Sequence, residues 1–217
     1  MQNYRNIIFD LGGVVLDIDY NLTIEAFREL GIRNAEDLYS KAKQDSIFDN
    51  LEKGLIGDEE FFDELRKRAG LKISNNDLRN AWNALIISLP SENVELLKSI
   101  NKTHRIFLLS NTNAIHEPAY RKLIERTYGS AVLDELFEKT YLSHHIHMRK
   151  PDPEIFEYVL KDAGLKREET LFIDDSPQHV HSAQRIGIPS YHLDHQTLSE
   201  YFKSFDYEIK STKDLNS

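Results

Sequence analysis

Five short apolar runs, most of them followed by a stretch with helical spacing, constrain the fold of this chain more than any other feature. The runs lie in the segments NIIFDL, RIFLLS, KTYLS, TLFID and PSYHL. They are continuous rather than alternating, which is typical of strands that helices cover on both faces. The segments PEIFEYVLKDAG and SPQHVHSAQRIG have the spacing of the covering helices. This repeat predicts an α/β fold with an open parallel sheet.

The stretch from about Tyr20 to Ser88 interrupts the repeat. It contains no convincing strand pattern, but it contains the helical patterns TIEAFRELG, DEEFFDELRKRAG and SNNDLRNAWNALIISLP. The first two end on Gly31 and Gly70, and Ser74 is the expected N-cap of the third. We therefore expect an all-helical insertion after the first strand.

The insertion defines two predicted units. The core comprises residues 1–19 and 88–217, and the helical cap comprises residues 20–87, with a hinge near Asp19 and Leu89–Pro90. The aromatic residues Phe27, Phe61, Phe62 and Trp82 lie in the helical patterns, and we interpret them as the core of the cap rather than as a sugar-binding platform. The polar C-terminal segment SFDYEIKSTKDLNS is a candidate edge strand with a frayed tail.

Composition argues against several classes of function. The chain has 27 basic and 36 acidic side chains, a formal charge of −9, and no basic block that could follow a nucleic acid backbone. No apolar run reaches the roughly 18 residues that span a bilayer, and the N-terminus lacks the pattern of a signal peptide. The absence of cysteine excludes disulfides and thiolate chemistry. We expect a soluble, cytoplasmic protein without nucleic acid or membrane partners, and either a monomer or a homodimer.

Polar side chains follow four of the predicted strands. They are Asp10 after the first run, Ser110 and Asn111 after the second, Lys150 in the loop beyond the third, and Asp174 and Asp175 after the fourth. Ligands bind beyond the carboxyl ends of the strands in open α/β sheets, so we expect these side chains to share one site. Acidic groups from separate strands can hold Mg²⁺, a serine hydroxyl can bind a phosphate oxygen, and a lysine can offset charge beside a nucleophile. The set predicts phosphoryl transfer.

The segments FDLGGVVLD, LLSNTN, RKPDPEIF and FIDDSPQHV, in this order, resemble the four motifs of the haloacid dehalogenase-like superfamily. The similarity is to its phosphatases with a helical cap after the first motif, and it implies a Rossmann-like catalytic core. It also implies that Asp10 is the nucleophile and forms a phosphoaspartate. A carboxylate suits this step because it is anionic at neutral pH and needs no base to activate it.

The resemblance implies roles for the remaining motif residues. Magnesium would be held by Asp10, the backbone carbonyl of Gly12 and Asp175, with Asp174 as a further ligand or as a neighbour of the ligands. Ser110 would bind the phosphate and Lys150 would orient the nucleophile. Asn111 and Lys150 are expected to contact the substrate beside Ser110.

Gly12 departs from the pattern of most of these phosphatases, in which a second aspartate protonates the leaving oxygen and later activates water. Loss of that group costs roughly 10²–10⁴-fold where proton transfer limits the rate, but little when the leaving group is good. A subgroup similar to FDLGNVIVDID, which this chain resembles through VVLDID, is associated with glucose 1-phosphate-type phosphatase activity. Asp17 or Asp19 could relay a proton, or Asp17 could anchor the cap hinge or cap the following helix.

Three functions remain open on the sequence alone. The favoured one is a magnesium-dependent phosphatase of small phosphorylated metabolites, with sugar 1-phosphates as a candidate class. The first alternative is a metal-independent dehalogenase-type hydrolase in which Asp10 attacks carbon, although the pair Asp174–Asp175 argues against it. The second is a non-catalytic binding protein with a lapsed active site at Gly12.

Other polar residues near the motifs have less specific interpretations. His144, His145 and His147 could suggest a metal site, but adjacent histidines do not face one side of a helix or strand, so we expect solvent-exposed or substrate-facing groups. His179 lies either beside the metal ligands or merely on the first turn of a helix. Arg149 has no predicted role.

Overall fold

The computed structural model describes residues 4–37, 46–129 and 132–204. Its strands are β1 (Asn6–Phe9), β2 (Asp17–Ile18), β3 (Ile86–Ser88), β4 (Arg105–Ser110), β5 (Lys139–Leu142), β6 (Thr170–Asp174) and β7 (Ser190–His192). Its helices are α1 (Tyr20–Glu29), α2 (Ser46–Glu52), α3 (Asp58–Ala69), α4 (Asn75–Asn83), α5 (Ser91–Ile100), α6 (His116–Tyr128), α7 (Val132–Leu136), α8 (Ser143–Ile146), α9 (Pro153–Asp162) and α10 (Pro177–Arg185). Residues 198–204 are also helical, and Arg167–Glu169 forms a 3₁₀ turn.

The five predicted strands form one parallel sheet in the order β5-β4-β1-β6-β7. The central strand β1 shows why its sequence is continuously apolar. Ile7 and Phe9 pack into one hydrophobic cluster and Ile8 packs into another, and all three are fully buried. Since successive side chains of a strand point to opposite faces, both faces of the sheet are covered. The predicted α/β fold with a parallel sheet is confirmed.

The expectation of no strand between Tyr20 and Ser88 is wrong at its C-terminal end. Helix α4 ends at Asn83, and β3 pairs with β2 in an antiparallel two-stranded ribbon. The paired residues Ile18 and Ile86 pack against the hydrophobic cluster that includes Ile7 and Phe9. β-Branched residues suit this half-buried extended backbone better than the last turn of a helix.

The helical insertion has a hydrophobic core of its own. The residues of this cap cluster include Phe27, Phe61, Phe62 and Trp82, as predicted, and all four are buried. Trp82 lies at its centre, with the Phe61 ring edge-on at a centroid distance of 4.7 Å. The cap boundaries at residues 20 and 87 remain a prediction.

Local capping follows the sequence signals closely. The Ser74 hydroxyl accepts a hydrogen bond from the Asp77 backbone N–H at 3.1 Å, and Gly70 ends α3 in a left-handed conformation. No helix within the described ranges is long and apolar enough to cross a membrane. The expected C-terminal edge strand lies almost wholly in residues 205–217, outside the described residues.

The cap cluster can be probed directly because Trp82 is the single tryptophan of the chain. Replacing Phe61 with alanine deletes a fully buried ring against Trp82, so the free energy of unfolding of the helical unit should fall by about 3–5 kcal/mol. Denaturant titration followed by Trp82 fluorescence measures this. Leu55→Ala is the control because Leu55 is 60% exposed, and it should change little. A Phe61→Ala midpoint equal to that of the wild type would contradict the assigned packing.

Candidate active site

The carboxyl ends of the three central strands place three polar side chains at one edge of the sheet. Asp10 follows β1 directly, and its backbone N–H still donates to the Ile173 carbonyl of β6 at 2.9 Å. Ser110 and Asp174 are the last residues of β4 and β6. The register of the parallel strands therefore brings the predicted residues together, as expected for an open α/β sheet.

Lys150 connects these strand ends through its side-chain ammonium. Its Nζ donates to Asp10 Oδ1 at 2.7 Å, to Asp174 Oδ2 at 2.6 Å and to the Leu109 carbonyl at 2.9 Å. The side chain is fully buried. An ammonium has three donors, and each of them has an acceptor here. The predicted neighbour of Asp10 is thus a completely satisfied buried cation.

Asn111 holds the backbone of Lys150 in place. Its Nδ2 donates to the Lys150 carbonyl at 2.8 Å, and its Oδ1 accepts from the Lys150 N–H at 2.9 Å. This two-point contact fixes the loop that carries the lysine. Direct contact between Asn111 and a substrate stays a prediction. The Ser110 hydroxyl makes only a long contact of 3.4 Å with the Asn111 carbonyl among the described residues, so it can bind a phosphate oxygen.

The site concentrates negative charge in a buried region. One carboxylate oxygen each from Asp10, Asp174 and Asp175 lies within 4.8 Å of the others, and Lys150 is the cation in contact with the first two. Burial raises the pKa of Asp10, with Lys150 opposing and the other carboxylates reinforcing the rise. Burial and Asp174 also raise the pKa of Asp175. When all three carboxyl groups are ionised, one ammonium does not balance their charge, and this repulsion contributes to the raised pKa values of Asp10 and Asp175.

This donor set fits a magnesium ion. Mg²⁺ prefers oxygen ligands and binds through carboxylates while keeping several waters, so the uncompensated charge matches a hard dication. Gly13 permits the close approach of the glycine turn to the carboxylates, because it has a φ of +78° and a Cβ there would lie 2.3 Å from Asp175 Oδ2. The backbone of Gly12 is the adjacent part of this turn. The carboxylates of Asp10, Asp174 and Asp175 lie close together, and their roles and that of the Gly12 carbonyl as metal ligands remain a prediction.

Asp174 is oriented by groups other than Lys150. The His179 Nδ1–H donates to its oxygens at 2.9 and 3.1 Å, and the Ser176 N–H donates at 2.8 Å. Although burial opposes ionisation, Lys150 and His179 hold the pKa of Asp174 below its usual range, at about 2. His179 lies on the first turn of α10 and contacts Asp174, and its place beside metal ligands remains a prediction.

Arg149 has a structural role that the sequence did not indicate. Its Nη1 contacts Asp49 at 2.6 Å and its Nε contacts Glu52 at 2.7 Å, both in or at the end of helix α2. Lys53 Nζ lies 3.0 Å from Asp152 in the same region. We call these ion pairs the cap latch. Partners about 100 residues apart in sequence leave no local pattern, and the acidic residues of FDNLE were the only hint.

The expectation that His144 and His145 do not share a direction is wrong. Both Nε2 atoms lie 3.0 Å from Glu117 Oε2, because α8 is a single turn that ends at His147 with a positive φ. His144 is buried rather than solvent-exposed. His145 and His147 are exposed as expected, and His147 contacts the Lys53 carbonyl through Nδ1.

Within the described ranges, Asp17 and Asp19, the two candidate proton relays, make no hydrogen bond or ion pair with the residues at the strand ends of the site. Asp17 accepts a hydrogen bond from the Ser88 hydroxyl across the β2–β3 ribbon at 3.0 Å. Asp19 caps α1 by accepting from the Asn21 N–H at 2.9 Å. The structure therefore favours the reading in which these carboxylates anchor the connection to the cap.

Comparisons with known proteins agree with this geometry. A relative named D-ribitol-5-phosphate phosphatase, from Bacteroides thetaiotaomicron, is 30% identical over 187 residues, which cover 86% of this chain and 90% of the relative. The fold resembles that of a HAD family enzyme of Bacteroides thetaiotaomicron in complex with magnesium and inorganic phosphate. Its TM-score is 0.80 at 37% identity, over 92% of this chain and 99% of the other.

A second solved structure is that of a predicted HAD-like family hydrolase from Porphyromonas gingivalis. It has a TM-score of 0.74 at 32% identity and covers 88% of this chain and 92% of the other. The family model of haloacid dehalogenase-like hydrolases matches residues 4–187. With the four motifs meeting at one sheet edge, the chain belongs to the haloacid dehalogenase-like hydrolases.

Proposed function

We propose that this hydrolase is a magnesium-dependent phosphatase of small phosphorylated metabolites that works through a phosphoaspartate on Asp10. The observation that carries the proposal is the buried Lys150 ammonium, which holds Asp10 Oδ1 beside the carboxylate cluster of Asp174 and Asp175. The relatives support it, since one is named a phosphatase and another was solved with magnesium and phosphate.

The first chemical step is an in-line attack on phosphorus. Lys150 holds Oδ1 of Asp10, and the other carboxylate oxygen forms the new bond to phosphorus as the ester P–O bond breaks; the leaving alkoxide takes a proton from water and departs as the alcohol. In this proposal Ser110 binds a phosphoryl oxygen. Water then attacks the phosphorus of the aspartyl phosphate, which releases inorganic phosphate and regenerates the carboxylate.

The metal would be held by the carboxylates of Asp10 and Asp175 and the carbonyl of Gly12, with Asp174 beside them. Bound Mg²⁺ supplies positive charge against the phosphoryl oxygens. Lys150 also keeps Asp10 oriented during both half-reactions, because its contacts to Asp174 and the Leu109 carbonyl do not involve the reacting atoms. The protein thus contributes orientation and charge to a reaction in which positioning dominates.

The finer proposal concerns the leaving group. Gly12 offers no carboxyl to protonate the departing oxygen, so esters of acidic alcohols, such as anomeric sugar phosphates, should react best. The absence of a carboxyl at Gly12 is the only support for this preference. The named relative does not add to it, because its name refers to a phosphate of the polyol ribitol and not to an anomeric sugar phosphate. A cytoplasmic, small-molecule role without nucleic acid partners is part of the same proposal.

The alternatives make different demands on the site. A dehalogenase of this fold would need Asp10 to attack carbon and would have no use for the clustered carboxylates Asp174 and Asp175. A lapsed site would not require a fully satisfied Lys150. Assay of the purified protein on phosphate esters with and without Mg²⁺ separates the three. Metal-dependent phosphate release is expected, whereas metal-free halide release or inactivity on a broad panel would contradict the proposal.

The metal assignment can be tested with Asp175→Ala. Removing one predicted ligand should lower kcat by roughly 10²–10³-fold and raise the magnesium concentration needed for half-maximal activity. Steady-state rates across a magnesium titration measure both. Asp63→Ala is the matched control, because Asp63 is an exposed carboxylate on α3 paired with Arg66, and it should behave like the wild type. Full activity in Asp175→Ala would refute the ligand assignment.

Kinetic measurements can distinguish two roles of Asn111, the positioning of Lys150 and direct contact with the substrate. If it positions Lys150 through the two backbone hydrogen bonds, Asn111→Ala should reduce kcat by roughly 10–10²-fold with a smaller change in KM. If it contacts the substrate without positioning Lys150, KM should rise while kcat is maintained. Asn101→Ala, an exposed amide at the end of α5, is the control.

The leaving-group proposal predicts a strong rate dependence on alcohol acidity. Aryl and anomeric phosphates should be hydrolysed faster than simple alkyl phosphates at the same pH and magnesium concentration. Gly12→Asp should raise the alkyl rates most. Gly12 has an ordinary φ, but a Cβ there would lie 2.9 Å from Ile18 Cδ1, so the variant is combined with Ile18→Val. Ile18→Val alone is the control, and equal rates on aryl and alkyl esters in the wild type would rule the idea out.

A further inference from the structure

A second cluster of metal-binding side chains lies outside the proposed active site. Glu117 is in the first turn of α6, in the connection after β4, and His144 and His145 are the two middle residues of α8, directly after β5. We call these three residues the His–Glu cluster. It shares no residue with the Asp10–Asp175 carboxylate cluster, and nothing in the proposed phosphatase chemistry uses it.

The donor atoms of the His–Glu cluster converge on one point. Each histidine Nε2 lies 3.0 Å from the same oxygen, Oε2 of Glu117, and all three donor atoms lie within 4.8 Å of one another. In a tetrahedral site, zinc–nitrogen and zinc–oxygen bonds of about 2.0–2.2 Å give donor separations of about 3.3–3.6 Å around one ion. The side chains therefore need little movement to enclose a metal.

Neighbouring groups hold the donors in this arrangement. Arg121 Nε donates to Glu117 Oε1 at 2.8 Å, which orients the carboxylate and leaves Oε2 toward the histidines. The Ser143 hydroxyl donates to the Thr112 carbonyl at 2.9 Å and accepts from the Thr112 N–H at 3.0 Å, so α8 is tied to the chain after β4. Ligating carboxylates in metal sites usually have such an outer partner.

We propose that the His–Glu cluster binds one divalent transition metal ion of the zinc type. Two imidazole nitrogens and one carboxylate oxygen suit Zn²⁺ or Co²⁺, whereas Mg²⁺ prefers oxygen donors alone. The His145 side chain is 56% exposed, so solvent can reach the site and supply a fourth ligand. The ion would join the segments after β4 and β5, which lead to Ser110 and Lys150, and would stabilise the folded protein by mass action.

The test compares the number of zinc ions bound by the wild type and by variants of the His–Glu cluster. Metal-free protein is saturated with Mg²⁺ and titrated with Zn²⁺ by calorimetry, and bound zinc is measured after dialysis. Since zinc can also enter the carboxylate cluster, the decisive quantity is the difference between variants: His145→Ala should bind one equivalent fewer than the wild type. Its affinity at this site should fall by at least about 100-fold, because even outer-shell changes cost 10–100-fold. Glu117→Gln should show the same direction.

His181→Ala is the matched control, because His181 is an exposed histidine on α10 outside both clusters, and it should bind as the wild type does. Zinc should raise the melting temperature of His181→Ala more than that of His145→Ala. Circular dichroism checks folding, and His145→Gln replaces His145→Ala if the alanine variant is misfolded. Equal zinc stoichiometry and affinity in the wild type and the folded His145 variant would overturn the proposal and leave the cluster as a hydrogen-bonded network.

Discussion

The buried ammonium of Lys150 is the interaction on which the organisation of this molecule depends. It joins the carboxyl ends of β1, β4 and β6 through Asp10, the Leu109 carbonyl and Asp174. A buried charge is costly unless it is paired and hydrogen-bonded, and here every donor has an acceptor. Removing the lysine would leave buried carboxylates uncompensated, a change that typically costs about 3–5 kcal/mol. The same contact therefore serves stability and the orientation of Asp10, the nucleophile of the proposed reaction.

The loop around Lys150 also connects the sheet to the helical insertion. Asn111 binds the lysine backbone from the β4 side, while the preceding residue, Arg149, forms the cap latch with Asp49 and Glu52. The Arg149 and Glu52 side chains are mostly buried, so their ion pair is less screened than a surface pair. Helix α2 is thereby joined to the residue that precedes Lys150.

The features that the sequence predicted are those encoded locally. The strands follow from continuous apolar runs, and the site follows from the rule that parallel strands end at one edge, which brings Asp10, Ser110 and Asp174 together. The strand β3 was missed because IIS continues an apolar helical pattern, and its pairing partner Asp17–Ile18 is distant in sequence. The partners of Arg149 and the contact of His144 with Glu117 were missed because these partners, too, are distant in sequence. Hydrophobic periodicity in the sequence indicates which face of a helix or strand a side chain lies on, but the tertiary packing determines which residue it contacts.

Gly12 links the chemistry of the site to the packing of the cap connection. The space beside it that a side chain would occupy is taken by Ile18 Cδ1, 2.9 Å from the position of a Cβ. Ile18 belongs to β2 and packs with Ile86 of β3 against the hydrophobic cluster that includes Ile7 and Phe9. A single substitution of Gly12 by aspartate would therefore not simply restore the missing carboxyl, because Ile18 of the β2–β3 ribbon occupies the space that the new side chain needs. In the proposed phosphatase reaction, the proton for the leaving oxygen would therefore come from the substrate or from water.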